Sequence, residues 1–157
     1  MAGGIGPRRR AREIALQVLF SLDLNPGVTP AQALAQFWHD FVNESRPEDP
    51  SRELGEPDPP REVVSFAETL VGGTVENLAE LDGIIQRASK NWRLERMARV
   101  DRNVLRLATY ELRYVPEVPA KVVINEAIEV AKRYGASESP AFVNGLLDRI
   151  SQELKRS

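Results

Sequence analysis

Apolar residues recur along this chain at intervals of three and four, segment after segment, with polar residues between them. Over residues 9–24 the stripe is Ala11, Ile14, Ala15, Val18 and Leu22, widened by Leu16, Leu19 and Phe20. That width predicts a helix covered on more than one side. Asn25-Pro26-Gly27 ends it, because proline disfavours a helical conformation in the residue before it. Thr29 and Pro30 form an N-cap and first-turn pair for a helix over 31–42. Periodicity resumes at Arg61 with Val63, Val64, Phe66, Ala67 and Leu70, and Gly72-Gly73 is expected to kink or break it. Another helix is predicted from about Val75, carrying Leu78, Leu81, Ile84 and Ile85. Asp101 opens a helix with Val104, Leu107, Ala108, Leu112 and Val115 on one face, stopped at Val115-Pro116. Pro119 begins the next, which carries Val123, Ile124, Ala127, Ile128 and Ala131 and ends at a glycine cap, Gly135. Ser139-Pro140 then caps a last helix with Val143, Leu146, Leu147, Ile150 and Leu154. No segment alternates convincingly with period two. The expected fold is all-α, a compact bundle of about seven helices.

Between the second and third predicted helices, residues 45–60 hold five prolines and many charges. Such a stretch has too little apolar surface to offset its ordering entropy, so it reads as a solvated spacer loop. Residues 1–8, with Gly3-Gly4-Ile5-Gly6, read as a flexible N-terminal arm. The remainder suits a single domain: 157 residues, 42% apolar and 28% charged, is enough to bury a substantial core. No apolar run approaches the roughly 20 residues that cross a bilayer, so no membrane association is expected. The start MAGGIGPRRR lacks the apolar core of a signal peptide, which places the expectation in the cytoplasm. With no cysteine there is no disulfide, no thiol catalysis and no thiolate zinc ligand.

A net charge of −2 conceals an uneven distribution. Residues 1–42 carry four arginines against three acids, 43–86 carry three basic groups against eleven acids, and 87–157 carry fourteen against nine. An anionic partner is therefore compatible with the acidic total, because binding depends on a local patch. The strongest local signal is Arg8, Arg9, Arg10 and Arg12, four guanidiniums in five residues with no acid before Glu13. Arginine donates two parallel hydrogen bonds to phosphate and stacks on bases, so this run is the first candidate for RNA contact. Cations at a helix N-terminus oppose the macrodipole, a cost that favours a function there. A second set, Arg93, Arg96, Arg99, Arg102 and Arg106, is explained at least as well by structural salt bridges.

Catalysis has little to stand on. His39, the only histidine, follows Trp38 on a helix and suits a surface or packing role. No carboxylate forms a metal-binding spacing with it, no calcium loop is present, and Gly72-Gly73 is not a phosphate loop. No catalytic residue, metal or cofactor is expected. Glu111 falls on the apolar face between Ala108 and Leu112, and Asn125 and Glu126 flank Ile124 and Ala127. A half-buried carboxylate needs a partner, and a buried arginine or lysine is the plain answer. Asn144-Gly145 inside the last helix suggests close approach of a neighbouring helix. Phe142 suits either the core or a stacking platform for an unpaired base.

Three blocks in order, RRRARE (Arg8 to Glu13), VDRNVLRLATYEL (Val100 to Leu112) and PAKVVINEAIEVAKRYGASESPAFVNGLLD (Pro119 to Asp148), closely resemble the NusB family of bacterial transcription antitermination factors. The resemblance covers most of the chain. It implies two small helical subdomains and binding of boxA, a short single-stranded RNA element in ribosomal RNA transcripts. It also implies the ribosomal protein NusE as partner, within an antitermination complex on RNA polymerase. By the same resemblance Arg8, Arg9, Arg10 and Arg12 are the arginine-rich RNA contact, and segment 138–145, with Glu138 and Phe142, is a second RNA-facing region. Phe20 and Asp101 match positions on the face that receives NusE. The 45–60 insert is longer than the family pattern, and Pro140 and Ala141 stand where many relatives carry a basic or polar side chain. Two alternatives have a basis: a self-associating helical scaffold (a homodimer), and a fragment of a ribosomal RNA methyltransferase that carries a NusB-like domain.

Overall fold

Seven α-helices and one 3-10 turn make up the regular structure in a computed structural model that describes residues 6–44 and 60–157. They are α1 (Pro7–Leu24), α2 (Pro30–Glu44), α3 (Arg61–Glu76), α4 (Leu78–Ala88), a 3-10 turn at Leu94–Arg96, α5 (Arg99–Tyr114), α6 (Ala120–Tyr134) and α7 (Ser139–Glu153). No strand occurs among the described residues, so the all-α expectation holds. None of these helices is long and apolar enough to cross a membrane. Residues 1–5 of the expected arm and 45–59 of the expected loop lie outside the described residues. The last two residues of that arm, Pro7 and Arg8, belong to α1 instead: proline at the first helical position has φ preset for the helix and lacks only an N–H that no carbonyl awaits.

The helix starts follow local chemistry. At α2, Thr29 Oγ1 accepts from the Gln32 N–H at 3.1 Å and the Gln32 side chain accepts from the Thr29 N–H at 3.0 Å. This reciprocal capping box satisfies two donors the helix itself leaves open. Thr29-Pro30 was therefore the right start signal. Gly72-Gly73 does not break α3, which continues to Glu76. The reason is packing: a Cβ on Gly73 would lie 2.3 Å from the Tyr110 ring of α5. The break comes at Asn77, and α4 starts at Leu78 rather than Val75. Helix α5 starts two residues before Asp101, which sits in its first turn. Gly135 does end α6, but with φ −98° it is not a left-handed cap. A Cβ there would meet Ser139 Oγ at 2.6 Å, and that hydroxyl accepts from the Ala136 N–H at 3.0 Å.

Helices α1, α2 and α3 pack on one another, while α7 packs on α4, α5 and α6, and α5 on α4 and α6; α5 also touches α1 and α3 and is the main link between the two groups. Its position explains its composition. Val104, Leu105, Leu107, Ala108 and Leu112 are buried, and so are Asn103, Arg106 and Glu111. Burying polar groups in such a helix is costly without partners, and these three have them, while Asp101 Oδ1 and Thr109 Oγ1 do not. Arg106 supplies a two-pronged contact to Asp82 of α4 at 2.8 and 2.9 Å. Asn103 donates to Asp23 of α1 at 2.9 Å. The chain end is tied back as well: Arg156 donates to the carbonyls of Leu112 at 2.8 Å and Val118 at 2.6 Å.

Candidate nucleic-acid interface

The arginine run occupies the first turns of α1, so its side chains radiate at about 100° per residue toward different neighbours. Arg8 and Arg12, one turn apart, lie over the Phe66 ring of α3, at 4.3 and 5.4 Å from its centroid. Arg10 lies 5.3 Å from the Phe41 ring of α2. Arg9 faces α6, where Nε and Nη2 donate to the two Glu126 oxygens at 2.7 and 3.0 Å. This pairing raises the Arg9 pKa and holds the Glu126 carboxyl below its usual value of 4.5, the hydrogen bond outweighing partial desolvation. A guanidinium on a ring face is held by the ring quadrupole and still exposes its N–H edge. Arg8 and Arg10 are exposed and Arg9 retains 37% of its side-chain surface. The cations are thus set on a rigid helix beside two aromatic platforms.

Arg12 does not belong to that exposed patch. Its side chain is only 6% accessible, and Nε and Nη2 donate to the two oxygens of Glu111 at 2.9 and 2.7 Å. It is the partner that the apolar-face carboxylate demanded. A signal existed in the sequence: Arg12, Leu16 and Leu19 share one i, i+4, i+7 stripe, the inner side of the widened apolar face. Glu126, 3.9 Å from Arg12 Nη1, links the two pairs into a chain from Arg9 to Glu111. Glu13 adds a contact to Arg133 at 3.2 Å, fixing α1 along α6.

The other candidates fall into separate places. Arg102 and Arg106 of the second basic set pair with Asp23 and Asp82, whereas Arg93, Arg96 and Arg99 are exposed. Glu138 is exposed at the N-cap of α7, and Phe142, one turn on, is half-buried against the core. Asn144 and Gly145 face outward; open space surrounds the Gly145 Cβ position, so this glycine admits no neighbouring helix. Phe20 is half-buried on α1. Asp101 is buried with Oδ1 lacking a hydrogen-bond partner, and the adjacent Arg102 bonds Asp23, one turn along α1 from Phe20. Phe20 and Asp101 thus flank the same α1–α5 crossing. No group of three or more His, Asp or Glu side chains that would hold a metal ion occurs among the described residues.

The model of the NusB family matches residues 9–152, from the arginine run through α7. The chain belongs to the NusB family. It is 49% identical over 153 residues to transcription antitermination protein NusB of Syntrophotalea carbinolica, covering 94% of this chain and 93% of that protein. With NusB of Myxococcus xanthus it shares 46% over 152 residues, 97% and 99% of the two chains. Among solved structures, T. maritima NusB superimposes with a TM-score of 0.77 at 37% identity, covering 96% of this chain and 94% of that one. A complex of the antitermination factors NusB and NusE with double-stranded RNA matches at 0.73 and 26%, covering 94% and 97%. The NusB-like architecture therefore extends over the whole described fold.

Proposed function

We propose that this protein is a transcription antitermination factor that binds boxA-type single-stranded RNA in ribosomal RNA transcripts together with NusE, within a complex on RNA polymerase. The observation that carries the reading is the α1 platform, where Arg8 and Arg10 stand exposed on aromatic rings beside the Arg9–Glu126 pair. A strand running over it would receive phosphate contacts from the guanidinium edges and stacking from their planes. Relatives with the antitermination name, and a structural neighbour that joins NusB, NusE and RNA, support the same role. We place the surface offered to NusE at the α1–α5 crossing that Phe20 and Asp101 flank, where Arg102 bonds Asp23.

The test is fluorescence anisotropy of a boxA-type RNA and a scrambled control, titrated with the protein alone and then with NusE. Sequence-preferring binding that tightens with NusE is expected. Replacing Arg8 and Arg10 with Ala should flatten the log–log salt dependence by about 1.4, two phosphate contacts at ~0.7 each for a single strand. An unchanged slope would remove α1 from the interface. Equal binding to both RNAs, with a homodimer in gel filtration, would favour a scaffold.

A further inference from the structure

Tyr110 and Tyr114, on the side of α5 that meets α3 and α4, have no part in the α1 platform. They stand one helical turn apart, with ring centroids 5.4 Å apart and planes inclined at 31°, and so present one continuous aromatic surface. Tyr114 is 38% exposed and Tyr110 is half-buried. Both rings are held in place. Tyr110 lies across the α3 backbone at Gly73, in the space that a Cβ would fill. The Tyr114 hydroxyl donates to the Glu80 carboxylate in the first turn of α4.

The rim of this surface is anionic. Between Glu62 and Gln86 the chain holds five acids and no basic residue. Asp82 is taken by Arg106, but Glu76 and Glu80 are exposed and form no ion pair among the described residues. Burial, with the charges of Glu76 and Glu111, holds the Tyr110 hydroxyl above its usual pKa of 10.0. The hydrogen bond to Glu80 does the same for Tyr114. Both rings therefore stay neutral near pH 7, with the electron-rich faces that attract cations. One guanidinium already uses them: Arg113 stands 5.2 Å from the Tyr114 centroid. The Tyr110 ring and the two carboxylates are left without a cation.

We propose that the Tyr110–Tyr114 face is a docking surface for a basic segment of a partner protein, which lays an arginine side chain on the rings beside Glu76 and Glu80. A planar guanidinium stacks on a tyrosine and donates from its edge to a carboxylate at the same time, which an ammonium does not. The unpaired carboxylates steer such a segment in and repel the phosphates of RNA, so this face is no extension of the α1 platform. Tyr114 also lies roughly 20 Å along α5 from Asp101, away from the surface assigned to NusE. The proposal does not depend on the RNA-binding reading.

The experiment uses the full chain with carbon-13 in its tyrosine rings. There are three tyrosines, and Tyr134 on α6 is the internal control. Magnetic resonance titration with a peptide of alternating arginine and glycine should shift Tyr110 and Tyr114 to saturation and leave Tyr134 in place. A lysine–glycine peptide of equal charge should bind about threefold more weakly, the loss expected for one exposed stacked guanidinium. Glu76→Gln with Glu80→Gln should weaken both peptides at low salt. Tyr114→Leu, read at Tyr110, should erase the arginine preference while the melting temperature holds, and Tyr114→Phe should keep it. Shifts shared equally by Tyr134, equal affinity for the two peptides, or an arginine preference that survives Tyr114→Leu would each overturn the proposal. So would shifts at Tyr110 and Tyr114 that appear on concentrating the protein without peptide and vanish in the Arg8 and Arg10 variant, because the occupant is then a second copy of this chain.

Discussion

Arg12→Met separates the structural arginine from those that face solvent. The substitution keeps the length of the side chain and removes the guanidinium, leaving the Glu111 carboxylate 2% exposed with neither of its two hydrogen bonds to Arg12. Breaking one side of a buried ion pair costs about 3–5 kcal/mol, because the remaining charge has no water to return to. At this chain length each kcal/mol lowers the melting temperature by roughly 2–4 °C, so a fall of about 6–20 °C is expected. The native state should remain populated at low temperature, since domains of this size hold about 5–15 kcal/mol. Urea titrations should show a lower midpoint at unchanged slope, the mark of lost stability without a changed unfolded state. Arg12→Met with Glu111→Leu removes both charges and should recover most of the loss, giving strong coupling in a double-mutant cycle. Measured cold, where the variant is folded, RNA binding should keep its salt slope. The opposite pattern, a melting temperature within ~2 °C of the parent and a slope flattened by ~0.7, would show that Arg12 leaves Glu111 for the phosphate backbone and refute the assignment.

The two helical glycines should respond with opposite signs. Gly73→Ala drives a Cβ into the Tyr110 ring and should cost about 1–3 kcal/mol, whereas Gly145→Ala meets open space and should gain about 0.5–1 kcal/mol, both read as urea midpoints. Equal effects would mean that helix propensity alone governs both sites. Glu126→Gln removes a carboxyl whose folded pKa lies below its free value of 4.5 because Arg9 hydrogen-bonds it. Its stabilisation is present above about pH 4.5 and lost as pH falls through the lower folded value, so the parent should exceed the variant at pH 7 and the difference should shrink as the pH is lowered below 4.5. The same variant frees Arg9 and should steepen the RNA salt slope by ~0.7; an unchanged slope would mean Arg9 meets no phosphate.

Most helix positions were legible because they rest on local rules: stripes at three and four, Thr29 ahead of Pro30, and proline at the starts of α2 and α7. What failed was local reasoning about residues whose role is tertiary. Gly73 reads as a breaker until Tyr110 is seen against it, 37 residues away in sequence. Gly145 reads as a close-packing glycine until its surroundings prove empty. Gly135 has the right position for the wrong reason, because the demand there comes from Ser139 rather than from a left-handed backbone. A glycine announces that something about a position is unusual, and only its neighbours say what.

The arginine run shows the same limit at the candidate site. Four adjacent guanidiniums look like one field in sequence, but a helix distributes them among three neighbours, α3, α6 and α2, with Arg12 turned inward to Glu111. The demand from Glu111 and the candidate in Arg12 were both legible, 99 residues apart; the match between them was not. The consequence is electrostatic. Glu126 and Glu111 take up two of the four positive charges, so the cations left for an anionic strand are fewer and more rigidly placed than a solvated run would supply. Fewer contacts lower the salt-dependent attraction to any polyanion, while platforms at Phe66 and Phe41 lower the entropy lost when Arg8 and Arg10 are fixed. Selectivity for particular bases must then come from surfaces that read the base itself.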